Sequence, residues 1–324
     1  MPKAIRIRQH GGPEVLEWVD VEVGAPGPGE VRLRQTAIGL NYIDTYHRSG
    51  LYPQKLPAIL GTEAAGVVEA VGDGVTDFAP GDRAAYAGSA PGAYAEARLM
   101  PASRLVKLPR AIGDRTAAAV MLKGMTAHYL LRRTFIVKRG DTLLVHAAAG
   151  GVGSMLVPWA RHLGATVIGT AGGNEKVERA LALGCHHAID YRSRDFVAEV
   201  KRLTEGRGVD VVYDSVGRDT FMKSLDCIRP LGMMVTFGNA SGPPPALDPL
   251  ILSQKGSLFL TRPTLATYTA RREDLLLAAK ALFHVVRQGI VKADVSRTCA
   301  LKDAAQAHRD LEARKTTGST LLLP

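Results

Sequence analysis

The sequence predicts an α/β protein in which a compact antiparallel β-barrel is joined to a doubly wound parallel sheet of six strands. Three observations predict it. The first hundred or so residues hold short alternating strands broken by Gly and Pro. Six apolar strand segments then alternate with helical segments between Thr142 and Thr261. A glycine-rich turn connects the first of those strands to its helix. Strand–helix alternation of this kind builds parallel sheets, whereas dense turns between short strands build barrels.

In chain order, Met1 to Arg8 alternates basic and apolar residues and reads as an opening strand; a signal peptide would need an unbroken apolar stretch. Glu30–Thr36 and Ala64–Val71 alternate in the same way, between turns at Gly11-Gly12-Pro13, Gly27-Pro28-Gly29, Gly72-Asp73-Gly74 and Pro80-Gly81-Asp82. The pattern changes near residue 124. Thr142–His146 is an apolar buried-type strand, followed by the glycine turn and a helical stretch to Leu163. Next come the strand Ala165–Gly169, a helix from Asn174 closed by Gly184, the strand His187–Asp190 and the amphipathic stretch Phe196–Leu203. Val209–Tyr213, Gly232–Phe237 and Ser257–Thr261 complete the six strands. An amphipathic helix, Leu275–Arg287, and a closing strand, Ser319–Leu323, return the tail to the first domain. The expected division is residues 1–124, 125–262 and 263–324.

Bulk properties narrow the function. The 324 residues are 46% hydrophobic and 22% charged, enough for two cores in a globular protein. The net charge of +10 is spread out. Its densest runs, Arg132-Arg133 and Arg271-Arg272, are only pairs without interleaved aromatics, which argues against a dedicated nucleic-acid binder. The same excess suits a polyanionic cofactor. The apolar region Thr142–Ala160 is interrupted by His146, Gly150, Gly151, Gly153 and Pro158, so it reads as strand, turn and helix and not as a membrane span. A soluble cytoplasmic protein is the expectation. Cys185, Cys227 and Cys299 are odd in number and match no zinc-ligand spacing; buried, reduced thiols and no metal are expected.

The central motif is Ala147-Ala-Ala-Gly-Gly-Val-Gly153, set directly between strand and helix. Gly150 permits a tight turn, Gly151 lets backbone approach a pyrophosphate, and Gly153 brings the helix against the sheet. Phosphate oxygens then face the free N–H groups of the helix start, next to Val152. An NAD site usually adds a carboxylate about 20 residues beyond the first glycine, to hold the ribose 2′-hydroxyl. That place reads Gly169-Thr-Ala-Gly-Gly173, without an acid; Lys176 follows, and Tyr191-Arg192 ends the third strand. Missing repulsion plus a nearby cation favours NADPH, although Glu175 leaves a ribose contact open.

With these residues in hand, the whole chain resembles the quinone oxidoreductase (zeta-crystallin-like) branch of the medium-chain dehydrogenase/reductase superfamily. The resemblance rests on Gly39-Leu-Asn-Tyr-Ile-Asp-Thr-Tyr-His-Arg-Ser-Gly50, Gly61-Thr-Glu-Ala-Ala-Gly66, Lys123-Gly-Met-Thr-Ala127, the glycine motif and Tyr213-Asp-Ser-Val-Gly217. It implies a six-stranded Rossmann sheet beside a GroES-like β-barrel catalytic domain. Zinc-dependent relatives place a Cys where this chain has Asn41 and a His where it has Thr62; neither is a good zinc ligand, and Glu63 alone would not hold the ion. The chemistry left is reduction of an acceptor that is already electrophilic, a quinone first and an enone or enal as the alternative. The resemblance further implies that Asn41, Tyr46 and Tyr52 lie near the nicotinamide, as hydrogen-bond donors or stacking partners for a flat substrate. Asn41 as a turn stabiliser, and the two tyrosines as packing between loop and barrel, stay open as bland readings.

By the same resemblance Thr126 packs near the nicotinamide, and Gly151 and Val152 cover the pyrophosphate. Gly172, Lys176 and Tyr191 surround the adenosine ribose and its phosphate, and Phe237, Gly238 and Asn239 line the cofactor channel. Asp214 and Ser215 sit at an equivalent strand end, where a structural role is equally open. Asp44 and His47 form a tempting acid–base pair, but an Asp satisfying local backbone donors is the simpler reading. Pro158 stands where family members commonly carry Gln, and it predicts a kinked helix. A homodimer through edge strands near Ser257–Thr261 is implied. A third reading keeps the fold and cofactor motif for an RNA-directed or structural role.

Overall fold

The computed structural model describes residues 1–88 and 90–324, and the chain forms two compact units. Met1–Met125, Thr269–Arg287 and Lys292–Pro324 make unit 1; Thr126–Tyr268 and Gln288–Val291 make unit 2.

Unit 1 opens with eight strands: β1 (Lys3–Ile7), β2 (Glu17–Asp20), β3 (Glu30–Gly39), β4 (Ala58–Ile59), β5 (Glu63–Val71), β6 (Arg83–Ala87), β7 (Ala97–Pro101) and β8 (Val106–Lys107). Helix α1 (Tyr42–Ser49) follows β3, and α2 (Asp114–Tyr129) follows β8. Alternation in β3 buries Val31 and Leu33 on one face, as its period of two requires. These join Ile5, Ile7, Ile38, Leu60, Tyr86, Tyr94 and Leu105 in one apolar core.

Unit 2 supplies six parallel strands: β9 (Thr142–Val145), β10 (Thr166–Ala171), β11 (His187–Asp190), β12 (Val209–Asp214), β13 (Ile228–Thr236) and β14 (Phe259–Thr261). Their spatial order is β11-β10-β9-β12-β13-β14. The chain therefore winds one way from β9 and then the other, leaving a crevice at the carboxyl ends of β9 and β12 where the direction reverses. Helices α3 (Gly153–His162), α4 (Asn174–Leu183) and α5 (Phe196–Leu203) are the first three crossovers. Gly184 closes α4 at φ 115°, a left-handed cap that suits glycine. The core gathers Leu144, Ile168, Val212, Met234 and the helix residues Phe196 and Phe221.

The tail then re-enters unit 1 through the helix Arg272–Arg287, strand β15 (Val295–Ala300), the helix Ala304–Glu312 and strand β16 (Ser319–Leu323). β16 pairs antiparallel with β3, setting Leu322 opposite Ile38. The full sheet runs β15-β16-β3-β5-β6-β8, with β7 also on β3.

The structure amends three expectations. The tail adds two strands, and β15 lies parallel to β16 in an otherwise antiparallel sheet; its mostly exposed Val-Ser-Arg-Thr-Cys-Ala segment has no apolar alternation to announce it. Helix α3 runs unbroken through Pro158. The proline withholds one N–H from the Ser154 carbonyl, while buried Leu156, Val157, Trp159 and Ala160 hold the helix on either side. All three cysteines are free, but only Cys185 and Cys227 are buried; Cys299 is half-buried on edge strand β15. No helix among the described residues is long and apolar enough to cross a membrane.

Gly39, where β3 turns toward α1, has no room for a side chain. A Cβ there would run into the Ala118 carbonyl and the Glu63 carboxylate. Gly39→Ala is expected to lower the unfolding free energy by about 2–3 kcal/mol, read as a lower urea midpoint at unchanged m-value.

Candidate active site

The turn after β9 is drawn tight. Ala147 adopts φ 52°, a left-handed conformation costly for a residue with a Cβ and common where a site fixes its backbone. Its carbonyl accepts the Gly150 N–H at 2.8 Å, and Ser154 Oγ donates to the Gly151 carbonyl of the same turn at 2.9 Å. A Cβ on Gly153 would meet the Ala147 carbonyl at 2.6 Å and also strike that of Ala148, so only glycine lets α3 start this close to the sheet. Within the first turn of α3 the Ser154 N–H already bonds the Gly150 carbonyl at 2.8 Å and the Met155 N–H the Val152 carbonyl at 3.0 Å, so an anion here would meet the turn before the helix and the positive end of its dipole.

At the end of β10, Gly172 and Gly173 lie under the end of β11. A Cβ on Gly172 would stand 2.5 Å from Tyr191 Oη and 3.2 Å from Arg192 Nε. Asp190 is the carboxylate in this corner, and it is committed: its Oδ1 accepts the N–H groups of Gly173 and Arg192, each at 3.0 Å. Those bonds hold its carboxyl below the usual range and tie the two strand ends together. Half-buried Lys176 sits in the first turn of α4. Gly172, Tyr191 and Arg192 thus share one corner, as a 2′-phosphate requires. Arg192 is the residue the motif reading left outside the candidate set; its place directly after Tyr191 was the available signal.

Further along the strand ends, the buried Asp214 carboxylate is spent on the Val216 N–H (2.7 Å), the Gly217 N–H (3.2 Å) and the Thr220 hydroxyl (2.9 Å). Its role is structural. It shapes the turn against which Phe237 N–H bonds the Asp214 carbonyl at 2.8 Å, and Gly238 lies so close to Ser215 that a Cβ would strike its carbonyl. Asn239 follows, buried. Thr126 is buried at the start of unit 2 and hydrogen-bonds Tyr129, whose ring stacks on Tyr268 at 4.6 Å.

Unit 1 holds a buried polar cluster at the start of α1. Glu63 is 0% exposed and accepts the Leu122 N–H at 2.6 Å and Asn41 Nδ2 at 2.7 Å, with Lys123 Nζ at 3.6 Å. Asn41 also directs Nδ2 at the Gly39 carbonyl, 3.3 Å away, so both amide hydrogens are used inside the unit. Asp44, likewise 0% exposed, accepts the Asn41 N–H (2.9 Å), Tyr94 Oη (3.0 Å) and Thr62 Oγ1 (3.3 Å). Desolvation outweighs these bonds, and with the charge of Glu63 it pushes the Asp44 carboxyl up to about 7.

Asp44 therefore satisfies a local backbone donor, and two side chains besides. His47 is no partner of it: its Nδ1 is buried without a hydrogen bond, and burial pushes the imidazole down to about 4. His47 faces Tyr52 instead, at 6.1 Å between rings. Tyr46 packs edge-to-face on Tyr52 at 5.2 Å and on Tyr42 at 5.5 Å. The structure thus brings the two predicted tyrosines together as one aromatic wall, while Asn41 lies inward, on Glu63.

A zinc ion fits this cluster poorly. Asn41 and Thr62 offer neutral oxygens or amide hydrogens, and both Glu63 oxygens already face donors, one of them an ammonium that would repel a dication. Among the described residues no group of three or more His, Cys, Asp or Glu side chains is placed to hold a metal. A dinucleotide suits unit 2 better: Gly153 lets α3 start hard against the turn after β9, and Gly172 lies against Tyr191 and Arg192 at the end of β10.

Residues 27–110 match the alcohol dehydrogenase GroES-like domain family, and residues 151–275 match the zinc-binding dehydrogenase family. The chain is 51% identical over 325 residues to a quinone oxidoreductase of Pseudomonas aeruginosa, covering 100% of both. It is 50% identical to a 2-haloacrylate reductase of a Burkholderia species, covering 100% of this chain and 99% of that one. The crystal structure of Escherichia coli quinone oxidoreductase complexed with NADPH superposes with a TM-score of 0.97 at 48% identity, over 99% of this chain and 100% of that one.

Because the Asp44 carboxyl is raised, the folded chain holds a proton that the unfolded chain has lost between about pH 4 and 7. Stability from this group is present below that window and lost as pH rises through it, by at most about 1.4 kcal/mol per pH unit. Asp44→Asn removes the titration. The gap in urea midpoint between variant and wild type should widen in the variant's favour from about pH 5 to about pH 7; a constant gap refutes this.

Proposed function

The chain belongs to the quinone oxidoreductase branch of the medium-chain dehydrogenase/reductase superfamily, and on that premise we propose that it reduces quinones with NADPH. The full-length identity near 50% to quinone oxidoreductases carries this reading. NADPH, when bound, supplies the hydride. The residues of the chain bind it, orient it and receive the acceptor.

The α3 start, with Gly150, Gly151, Val152 and Gly153, takes the pyrophosphate on backbone N–H groups, where the helix dipole favours negative charge. Tyr191 Oη, Arg192 and Lys176 take the 2′-phosphate over the Gly172–Gly173 turn, a charge-assisted set that an NADH ribose would leave unfilled. Asp190 is turned to the backbone there, its Oδ1 accepting the Gly173 and Arg192 N–H groups. Thr126, Phe237, Gly238 and Asn239 border the nicotinamide end of the cofactor.

Tyr46 and Tyr52 supply a flat wall for a planar ring, and their hydroxyls serve as donors to the developing oxyanion. Asn41 acts by holding Glu63 and the start of α1. The donor set around Glu63 offers no seat for a Lewis acid, so the acceptor must delocalise the incoming charge itself, as a quinone does. The kinship with a 2-haloacrylate reductase favours a second reading, reduction of a conjugated carbonyl whose double bond carries the same electrophilicity.

We place the protein in the cytoplasm as a homodimer. β14 ends the unit 2 sheet with an unpaired edge, and Phe259 and Leu260 are 57% and 37% exposed there, which suits pairing with a second copy.

Turnover of benzoquinone against an alkenal and a 2-haloacrylate, with NADPH, tests the assignment; negligible quinone reduction beside rapid enal reduction would replace it with the second reading. Arg192→Ala is expected to raise KM for NADPH about tenfold or more while leaving KM for NADH little changed, the loss of one charge-assisted contact. Equal effects on both cofactors would remove Arg192 from the phosphate.

A further inference from the structure

The hydrogen bonds around Asp44 run in one direction. Arg48 can only donate, so its Nη1, 3.0 Å from His308 Nδ1, makes that nitrogen an acceptor. Burial pushes the His308 imidazole down to about 3, so the ring is neutral and carries its proton on Nε2, which faces Tyr94 Oη at 3.0 Å. Tyr94 accepts there and turns its own hydrogen to Asp44 Oδ2 at 3.0 Å. Arg48 is itself clamped by Glu312 Oε1 at 2.6 Å and the Gly11 carbonyl at 3.0 Å.

Asp44 Oδ2 is therefore filled by two donors that cannot turn round, the Asn41 N–H and a phenol locked through His308 by Arg48. A proton arriving at this carboxyl has Oδ1 left to it. The partner there is the Thr62 hydroxyl at 3.3 Å, which is free to exchange donating for accepting.

We propose that Asp44 and Thr62 form a protonation switch for the reduction, with Thr62 as its output and Asp44 as a positioning residue. With Asp44 protonated, Oδ1–H donates to Thr62 Oγ1, and the Thr62 hydrogen turns away, toward the oxyanion that hydride transfer leaves on the acceptor. With Asp44 ionised, the hydrogen is drawn back to the carboxylate, and a second buried negative charge beside Glu63 opposes the oxyanion. The inference rests on the quinone-reduction reading above.

The groups facing Asp44 are two phenols, an imidazole, a guanidinium and the Glu63–Lys123 pair. Tyr94 and Tyr86 are pushed up by burial, His308 is neutral, and Arg48 is permanently charged; Glu63 and Lys123 pair with each other. The raised Asp44 carboxyl, at about 7, puts the switch in the working range.

The test measures kcat/KM for benzoquinone with NADPH from about pH 5.5 to about pH 9 on wild type, Asp44→Asn, Thr62→Val and Thr62→Ser, with the carboxyl infrared band followed over the same range without substrate. Asp44→Asn is isosteric and places its Nδ2 at Thr62, so it mimics the protonated form; a retained thermal midpoint confirms folding. In wild type the expected result is an infrared band, absent from Asp44→Asn, that titrates near neutrality, and activity falling about tenfold per pH unit above that midpoint. The slope vanishes in Asp44→Asn, vanishes in Thr62→Val although the band remains, and returns in Thr62→Ser. A wild-type slope surviving in Asp44→Asn or in Thr62→Val overturns the switch, as does a band that does not titrate. No quinone turnover beside a titrating band counts against the quinone reading and leaves the buried proton site standing.

Discussion

A carboxylate sealed in an apolar barrel must be met by donors from every side, and Glu63 imposes that condition on unit 1. An unpaired charge there would cost several kcal/mol. Its partners come from two separate elements: the Asn41 amide at the β3–α1 corner, and the Leu122 N–H and Lys123 ammonium on α2. Closing these bonds sets how near β3 approaches α2, and that approach leaves Gly39 without room for a side chain. It also fixes the start of α1, and with it the Tyr46–Tyr52 wall one turn further on.

Unit 2 answers a different demand, that backbone come within reach of phosphate. Side-chain volume is given up at Gly153 to the Ala147 and Ala148 carbonyls and at Gly172 to Tyr191 and Arg192, and Ala147 is held in a left-handed conformation between them. The Asp190 carboxylate shows how context sets a charge's role. Set among cations, it is spent on backbone N–H groups and braces two strand ends.

The two units divide the chemistry. Unit 2 carries the glycine turn and the Gly172–Tyr191–Arg192 corner, and unit 1 carries packed tyrosines and a carboxyl cluster with an ammonium beside it. A reductase built this way relies on acceptors whose own conjugation takes up charge, which is the property shared by quinones and 2-haloacrylates. The directional chain from Arg48 through His308 and Tyr94 to Asp44 adds control over that oxyanion without adding a ligand to the site.

The sequence by itself determined whatever depends on neighbours along the chain. Period-two alternation placed β3 and β5, apolar runs placed β9 to β13, and a glycine triplet between strand and helix placed the pyrophosphate turn, because backbone geometry and local burial act over a few residues. β15 escaped, since an exposed edge strand carries no burial pattern. Asn41 and Asp44 were visible as residues but not as partners. Only the tertiary structure decided that Asn41 spends its amide on Glu63, and that Asp44 answers through Tyr94 to His308, 214 positions further on, and to Arg48, itself 260 positions from His308. Desolvation and hydrogen-bond direction belong to atoms brought together by folding, and separation along the chain leaves no trace of them.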